Sequence, residues 1–299
     1  MHTGRSGVAS GSLQIGVVIP AFHGRRYIVE ALASVARQTV SGDIVTVVVE
    51  DGTPPEAAVA DLARQHGARY LALPENRGVF AARTAGFRSL PPCRYVAFLD
   101  QDDWWEPGFL ETLSTALEEH PEAPLAASNV IFVDGKSATP FFSDRKPRLT
   151  LADFKVVNQL ATPSHVLCRY ERVQQLGLEA RLAYPGSDDW LLWLGLLRYG
   201  DGVYVDTPLA YWRVHEAAFH HLRLAMRASE DAVVREWYPR LGFDHADVAH
   251  YWGRVALDAL VQRNSTAEWM WGLGHLLLHP RAVLEAVRFR REHKRSGVV

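Results

Sequence analysis

Three carboxylates fall within four residues at Asp100-Gln101-Asp102-Asp103, directly after an apolar run over 96–99. Held that close they repel one another, and their pKa values rise unless a cation or hydrogen-bond donors compensate. A hard divalent ion is the economical compensation, because Mg2+ or Mn2+ takes a few carboxylate oxygens and completes its shell with a substrate's phosphate oxygens. A solvated turn capping the helix that starts near Pro107 is the plainer use of the same cluster. Two more acidic pairs stand in comparable places. Glu50-Asp51 closes the apolar run that begins at Ile44, where a carboxylate serves either a ligand or a helix N-cap. Asp188-Asp189 opens a strongly apolar helix; acidic side chains there complement the helix dipole, and one of them, given a hydroxyl in reach, can take a proton.

The elements that must position these groups follow from hydrophobic patterning. Runs rich in β-branched residues recur at 15–20, 44–50, 70–73 and 95–100, and helical patterns fill the gaps at 26–39, 55–66 and 78–89. A fourth helix starts at Pro107 and stops before Pro121. This is the βαβ rhythm of a mostly parallel, Rossmann-like sheet flanked by helices. In such a sheet ligands bind beyond the carboxyl ends of the strands. Those ends are Pro20-Ala21-Phe22, Glu50-Asp51 and the 100–103 cluster. Beyond Pro121 the pattern becomes α+β, with short strands at 129–133 and 165–168 around a long loop at 134–150 that is a candidate lid. A helix over 188–199, ended by Gly200, precedes strands at 203–205 and 209–213. After residue 215 only helices are expected, with a capping box at Ser265 and Glu268, a break at Pro280 and a C-cap at Gly297.

Composition narrows the function classes. The chain has 299 residues, with 32 Lys+Arg against 34 Asp+Glu and 48% hydrophobic residues, which describes a globular protein with a sizeable core. The near-neutral balance argues against a dedicated nucleic-acid binder. No apolar run approaches the length of a membrane span and residues 1–14 lack the apolar core of a signal peptide, so a cytoplasmic location is expected. Cys93 and Cys168 form neither a disulfide framework nor a cysteine zinc site. No phosphate-binding loop with the Gly-Lys-Ser/Thr ending is present.

Six segments in order carry a resemblance: 15–20, 47–53, Asn76-Arg77-Gly78 with Ala82-Arg83, 99–105, Asp188-Asp189-Trp190, and Arg213-Val214-His215. Together they resemble family 2 glycosyltransferases of the nucleotide-diphospho-sugar transferase (GT-A) fold, over about residues 14–216. The resemblance implies inverting transfer of a sugar from a nucleotide-diphospho-sugar of UDP, GDP or dTDP type to a hydroxyl of a sugar, lipid-linked or small-molecule acceptor. It also implies Mg2+ or Mn2+. Pro20, Ala21, Phe22, Glu50 and Gln101 would then belong to the nucleotide-sugar pocket, Asp51 and Arg83 would reach the base or ribose, and Asp100 would face the ribose. Asp102, with Asp100 and His215, would hold the metal. Asp103 would orient the loop or touch a substrate, Trp104 or Trp105 would line the sugar pocket, and Asp189, paired with Asp188, would be the general base. Glu50 and Asp188 stand where the family usually has Asp and Glu, which keeps charge and alters reach.

The resemblance divides the chain into a flexible N-terminus (1–13), a catalytic domain (14–225, with a nucleotide-binding half at 14–105 and an acceptor half at 106–225) and a helical extension (226–299). The extension carries four tryptophans, and residues 281–299 hold six Lys/Arg against two Asp/Glu. It caps the domain, mediates a dimer, or lies on the inner face of a membrane. Nucleotidyl transfer that makes a nucleotide-sugar, and a non-catalytic nucleotide- or sugar-binding module, are the rival functions. The first normally needs a Gly-rich basic loop after the first strand, and the second sits poorly with an intact set of Asp51, Asp100, Asp102 and Asp189.

Overall fold

A computed structural model describes residues 14–52, 57–143, 147–177, 186–214, 223–262 and 266–293. The strands are β1 (Gln14–Ala21), β2 (Asp43–Asp51), β3 (Arg69–Leu73), β4 (Tyr95–Phe98), β5 (Trp104–Trp105), β6 (Leu125–Val133), β7 (Ala138–Pro140), β8 (Arg148–Leu149), β9 (Val166–Arg169) and β10 (Gly202–Arg213). They form one sheet in the order β3-β2-β1-β4-β9-β6-β10-β5, with β7 paired to β6 and β8 to β10. The helices of the first half are α1 (Ile28–Ala36), α2 (Ala57–Gln65), α3 (Val79–Ser89) and α4 (Phe109–Glu119).

The first four strands are parallel, and β1 is buried along nearly its whole length, as its unbroken apolar sequence requires of a central strand covered on both faces. After β1 the chain steps through α1 to β2 and through α2 to β3, and α3 then carries it back across to β4 on the other side of β1. The strand order therefore reverses between β1 and β4. A crevice opens at such a switch point beyond the strand ends, which here are Pro20-Ala21-Phe22 and the 100–103 turn.

Helix α3 lies close on β1 and β2 because Gly86 gives it room: a Cβ there would sit 2.4 Å from Val18 Cγ1 and 2.9 Å from Val49 Cγ2. Both valines are fully buried and have nowhere to retreat. Gly86→Ala is expected to cost about 1–3 kcal/mol through overpacking, read as a lower urea midpoint at unchanged slope.

The second half is mixed. β9 runs antiparallel to both β4 and β6, while β6 and β10 are parallel. The two strands expected at 203–205 and 209–213 are one strand, β10, whose register with β6 slips on either side of Pro208. A proline cannot donate to the ladder, so the irregularity concentrates there and the strand continues past it. The 134–150 segment is only partly a loop, since β7 folds back on β6 and β8 pairs with β10. The two-residue β5, unforeseen because Trp-Trp has no strand-length pattern, pairs with Ala210 and Tyr211 of β10.

The remaining helices are α5 (Leu151–Phe154), α6 (Tyr170–Leu176), α7 (Asp188–Leu196), α8 (Arg223–Ala232), α9 (His245–Gln262), α10 (Thr266–Leu278) and α11 (Pro280–His293). The break expected at Pro280 is the α10–α11 junction, and proline suits the first turn of α11. The capping box at Ser265, the C-cap at Gly297 and the 1–13 segment lie outside the described residues. The 226–299 region divides in two by packing. Its first part shares the core of the catalytic domain: Trp190 of α7 meets the rings of Tyr238 and Tyr251, the Arg254 Nε donates to the Val156 carbonyl (3.0 Å), and Lys155 pairs with Asp247 (2.8 Å). The last two helices pack on α9 and on each other.

Candidate active site

Arg83 joins the acidic segments that the sequence singled out. It projects from α3, buried, with one terminal nitrogen 2.6 Å from Asp100 Oδ1 and the other 2.5 Å from Asp188 Oδ2. Burial pulls its pKa down, but the two carboxylates outweigh burial and hold it above the ordinary arginine value, permanently charged. Both terminal nitrogens are thus engaged between the 100–103 turn and α7. The Nε is buried without a partner. The structure places the Arg83 guanidinium, expected to reach the base or ribose, against Asp100 and Asp188, because α3 delivers it between β4 and α7.

The 100–103 turn is braced on every side. The Asp100 N–H donates to Ser164 Oγ (3.0 Å), and Gln101 makes a reciprocal pair with the Phe22 backbone, accepting its N–H and donating to its carbonyl at 2.9 Å each. Asp103 is buried, accepting the Arg213 N–H (2.9 Å) and the Thr162 hydroxyl (3.0 Å). Desolvation, with Asp102 and Asp100 alongside, pushes its pKa well above the usual carboxylate range. These bonds tie the turn to Thr162 and to Arg213 of β10. Trp105 is core, donating its ring N–H to the Ser164 carbonyl (2.5 Å), whereas half-buried Trp104 stacks on Tyr211 at 4.7 Å. Arg213 closes the turn from the far side: its Nε donates to the Asp102 carbonyl (3.0 Å), its guanidinium covers the Trp104 ring at 4.5 Å, and it pairs with Glu30.

At the end of β1, Pro20 and Ala21 are buried and Phe22 is exposed. Asp51, buried at the end of β2, accepts the Arg77 N–H at 2.9 Å. Glu50 is buried with the Tyr70 hydroxyl donating to it, a supporting position inside the sheet.

Asp189 sits beside Asp188 at the start of α7, where its Oδ2 accepts from Asn158 (3.1 Å) and its Oδ1 from the Trp190 N–H (2.7 Å). Burial, reinforced by Asp188 and opposed by Arg83, raises its pKa to about 7. With Asp188, Arg83, Phe80, Phe98, Pro163 and Leu192 it lines a small pocket. A half-buried carboxylate poised near neutrality at a pocket wall has the properties of a general base.

Asn158, Thr162, Ser164 and the ring of Tyr211 are the supporting residues that sequence reading missed. They lie in irregular segments or far along the chain from the groups they hold, and no spacing marks them. His215 lies outside the described residues. Among the described residues, no three His, Cys, Asp or Glu side chains converge as a metal cage. Asp100 gives one carboxylate oxygen to Arg83, so a divalent ion here would draw on its second oxygen and on Asp102, both hard donors. That donor set fits Mg2+ or Mn2+, which accept one or two carboxylates and fill the remaining positions with phosphate oxygens and water.

Comparison with known proteins agrees with this geometry. Residues 16–171, just over half of the chain, match the sequence profile of Glycosyl transferase family 2, and the chain belongs to that family. It is 30% identical over 241 residues to the succinoglycan biosynthesis protein ExoO of Rhizobium meliloti, covering 74% of this chain and 68% of that protein. It is also 30% identical over 117 residues to glycosyltransferase GlyA of Streptococcus pneumoniae, covering 39% of this chain and 16% of that one. The match to the minor teichoic acid biosynthesis protein GgaB of Bacillus subtilis is 24% over 158 residues, half of this chain and 17% of the other. The chain thus spans only about a sixth of the length of these last two relatives. In fold it is similar to S. aureus TarS 1–349, solved in complex with UDP-GlcNAc, with a TM-score of 0.62 over 91% of this chain and 82% of that one at 16% identity. The GT-A architecture is therefore the fold of this protein.

Proposed function

We propose that the protein transfers a sugar from a nucleotide-diphospho-sugar to an acceptor hydroxyl with inversion, using Asp189 as general base. The observation that carries the reading is the Arg83 bridge, which fixes the Asp100 turn and the Asp188-Asp189 helix start to one cation and so sets the donor end and the base end of a site side by side. The diphosphate lies in the crevice beyond β1 and β4, with Asp51 on the nucleoside side. Asp102 and Asp100, with His215, are the residues that would hold a divalent ion, whose chemistry is to neutralise the charge that develops on the leaving diphosphate. Asn158 and the Trp190 N–H hold the Asp189 carboxylate in place. Asp189 takes the proton of the acceptor hydroxyl as that oxygen attacks the anomeric carbon from the face opposite the diphosphate.

The test is a thermal-shift panel of UDP, GDP, dTDP and CDP, each with Mn2+ and with EDTA. At least one diphosphate is expected to stabilise the protein in Mn2+ and lose most of that effect in EDTA, since a ligand at about 100 times its Kd adds about 2.7 kcal/mol. No metal-dependent shift with any of the four would sink the proposal.

A further inference from the structure

The outer surface of α10 and α11 is a feature of the fold that the site does not use. Both helices bury one side well. Gly272 of α10 approaches the Ala256 carbonyl and Gly253 of α9 approaches that of Ala282, so closely that a Cβ would stand 2.8 and 2.4 Å away. Ala282, Val283 and Ala286 are buried. The opposite side is covered by nothing in the chain as described: Leu277 and Leu278 are 75% and 77% exposed, Leu284 59% and Met270 58%. Trp269 is 37% exposed, and Trp271, edge-on to the Trp252 ring, is 43% exposed. Side chains this large, clustered on adjoining helices, mark a surface that meets something apolar.

Charge identifies the occupant. Arg281, Leu284 and Arg288 are all exposed and stand three and four residues apart, so two arginines flank the apolar position on one face of α11. The helix as a whole carries Arg281, Arg288, Arg290 and Arg291 against Glu285 and Glu292. A symmetric self-pairing through this face would bring Arg281 and Arg288 of two copies into one interface, where like charges oppose each other. The phosphates of anionic lipid headgroups complement them instead, while the leucines and tryptophans enter the acyl boundary beneath. Among the described residues no helix is long and apolar enough to cross a membrane, so the contact lies in the plane of the surface.

We propose that the α10–α11 face docks the protein on an anionic lipid bilayer. The full chain is sedimented with vesicles of pure phosphatidylcholine and of phosphatidylcholine mixed with phosphatidylglycerol. It is expected to pellet with the mixed vesicles, at least about tenfold more weakly with the neutral ones, and less at high salt. Leu277→Ser with Leu278→Ser, and separately Arg281→Glu with Arg288→Glu, are each expected to weaken the partition about tenfold or more at unchanged Tm, because the side chains they replace are exposed. Equal binding to both vesicle types overturns the proposal, as does no binding to either. A dimer in light scattering that the leucine variant splits, without vesicle binding, assigns the face to a second copy and overturns it too.

Discussion

Replacing Asp189 by Asn leaves donor binding intact and lowers transfer by about 10²–10⁴-fold, the range that a positioned general base supplies. The amide keeps the size of the carboxylate and its oxygen still accepts the Trp190 N–H, but its NH2 cannot accept from Asn158 and it cannot take a proton. Nucleoside diphosphate release from the donor, measured beside the diphosphate thermal shift, separates the two effects: an unchanged shift with lost release is expected, and unimpaired release removes Asp189 from the chemistry. The wild-type rate should rise with pH through about 7 as the carboxylate ionises. Stability runs the other way. The folded pKa lies above the unfolded one, so Asp189 supports the fold fully only below about pH 4, and that support fades as pH rises through 7. Asp189→Asn is therefore expected to be close to neutral for Tm near pH 4 and stabilising at pH 8. A variant that loses stability at both pH values would return Asp189 to a purely structural role at the helix start.

Arg83→Met should be the most destabilising single change in the site, by about 3–5 kcal/mol, because it strands Asp188 beside Asp189 in a buried setting and leaves Asp100 without its cation. Arg83→Lys recovers only part of this, since a single ammonium does not span two carboxylates as a guanidinium does. The urea midpoint measures the loss. Adding Asp188→Asn and Asp100→Asn to Arg83→Met should restore much of it, because the cost lies in unpaired buried charge more than in missing contacts. If the triple variant is no more stable than Arg83→Met, the damage comes from lost packing and the bridge is not electrostatic in origin.

How far the sequence reveals this arrangement depends on how local each signal is. The strands of the first half and the helices between them were readable because buried parallel strands and amphipathic helices write their periods directly into the chain. The acidic clusters were visible for the same reason: Asp100, Asp102, Asp103, Asp188 and Asp189 are close neighbours in sequence. What was not legible is pairing over distance. Arg83 reads as one arginine on a helix, and nothing near it announces partners at Asp100 and at Asp188. Thr162 and Ser164 brace the 100–103 turn across about sixty residues. Pro208 reads as a strand break, yet the neighbouring β6 carries β10 through it. The tail poses a different problem. Tryptophan spacing is equally compatible with a core and with an exposed face, and only the packing partner decides: Trp190 has Tyr238 and Tyr251 against it, while Leu277 and Leu278 face outward.

The sharing of Trp190 with Tyr238 and Tyr251 also bears on where this chain can be cut. The helix that presents Asp189 is clamped from behind by residues that follow the apparent end of the catalytic domain, so a fragment cut at residue 225 would expose a fully buried tryptophan one position from the proposed base. A chimera that replaces part of this chain's second half therefore inherits a hidden dependency. The unit that must travel together runs from Leu151 through α9, with Lys155 and Asp247 as its far seam, and a splice inside it would register first as a displaced Asp189.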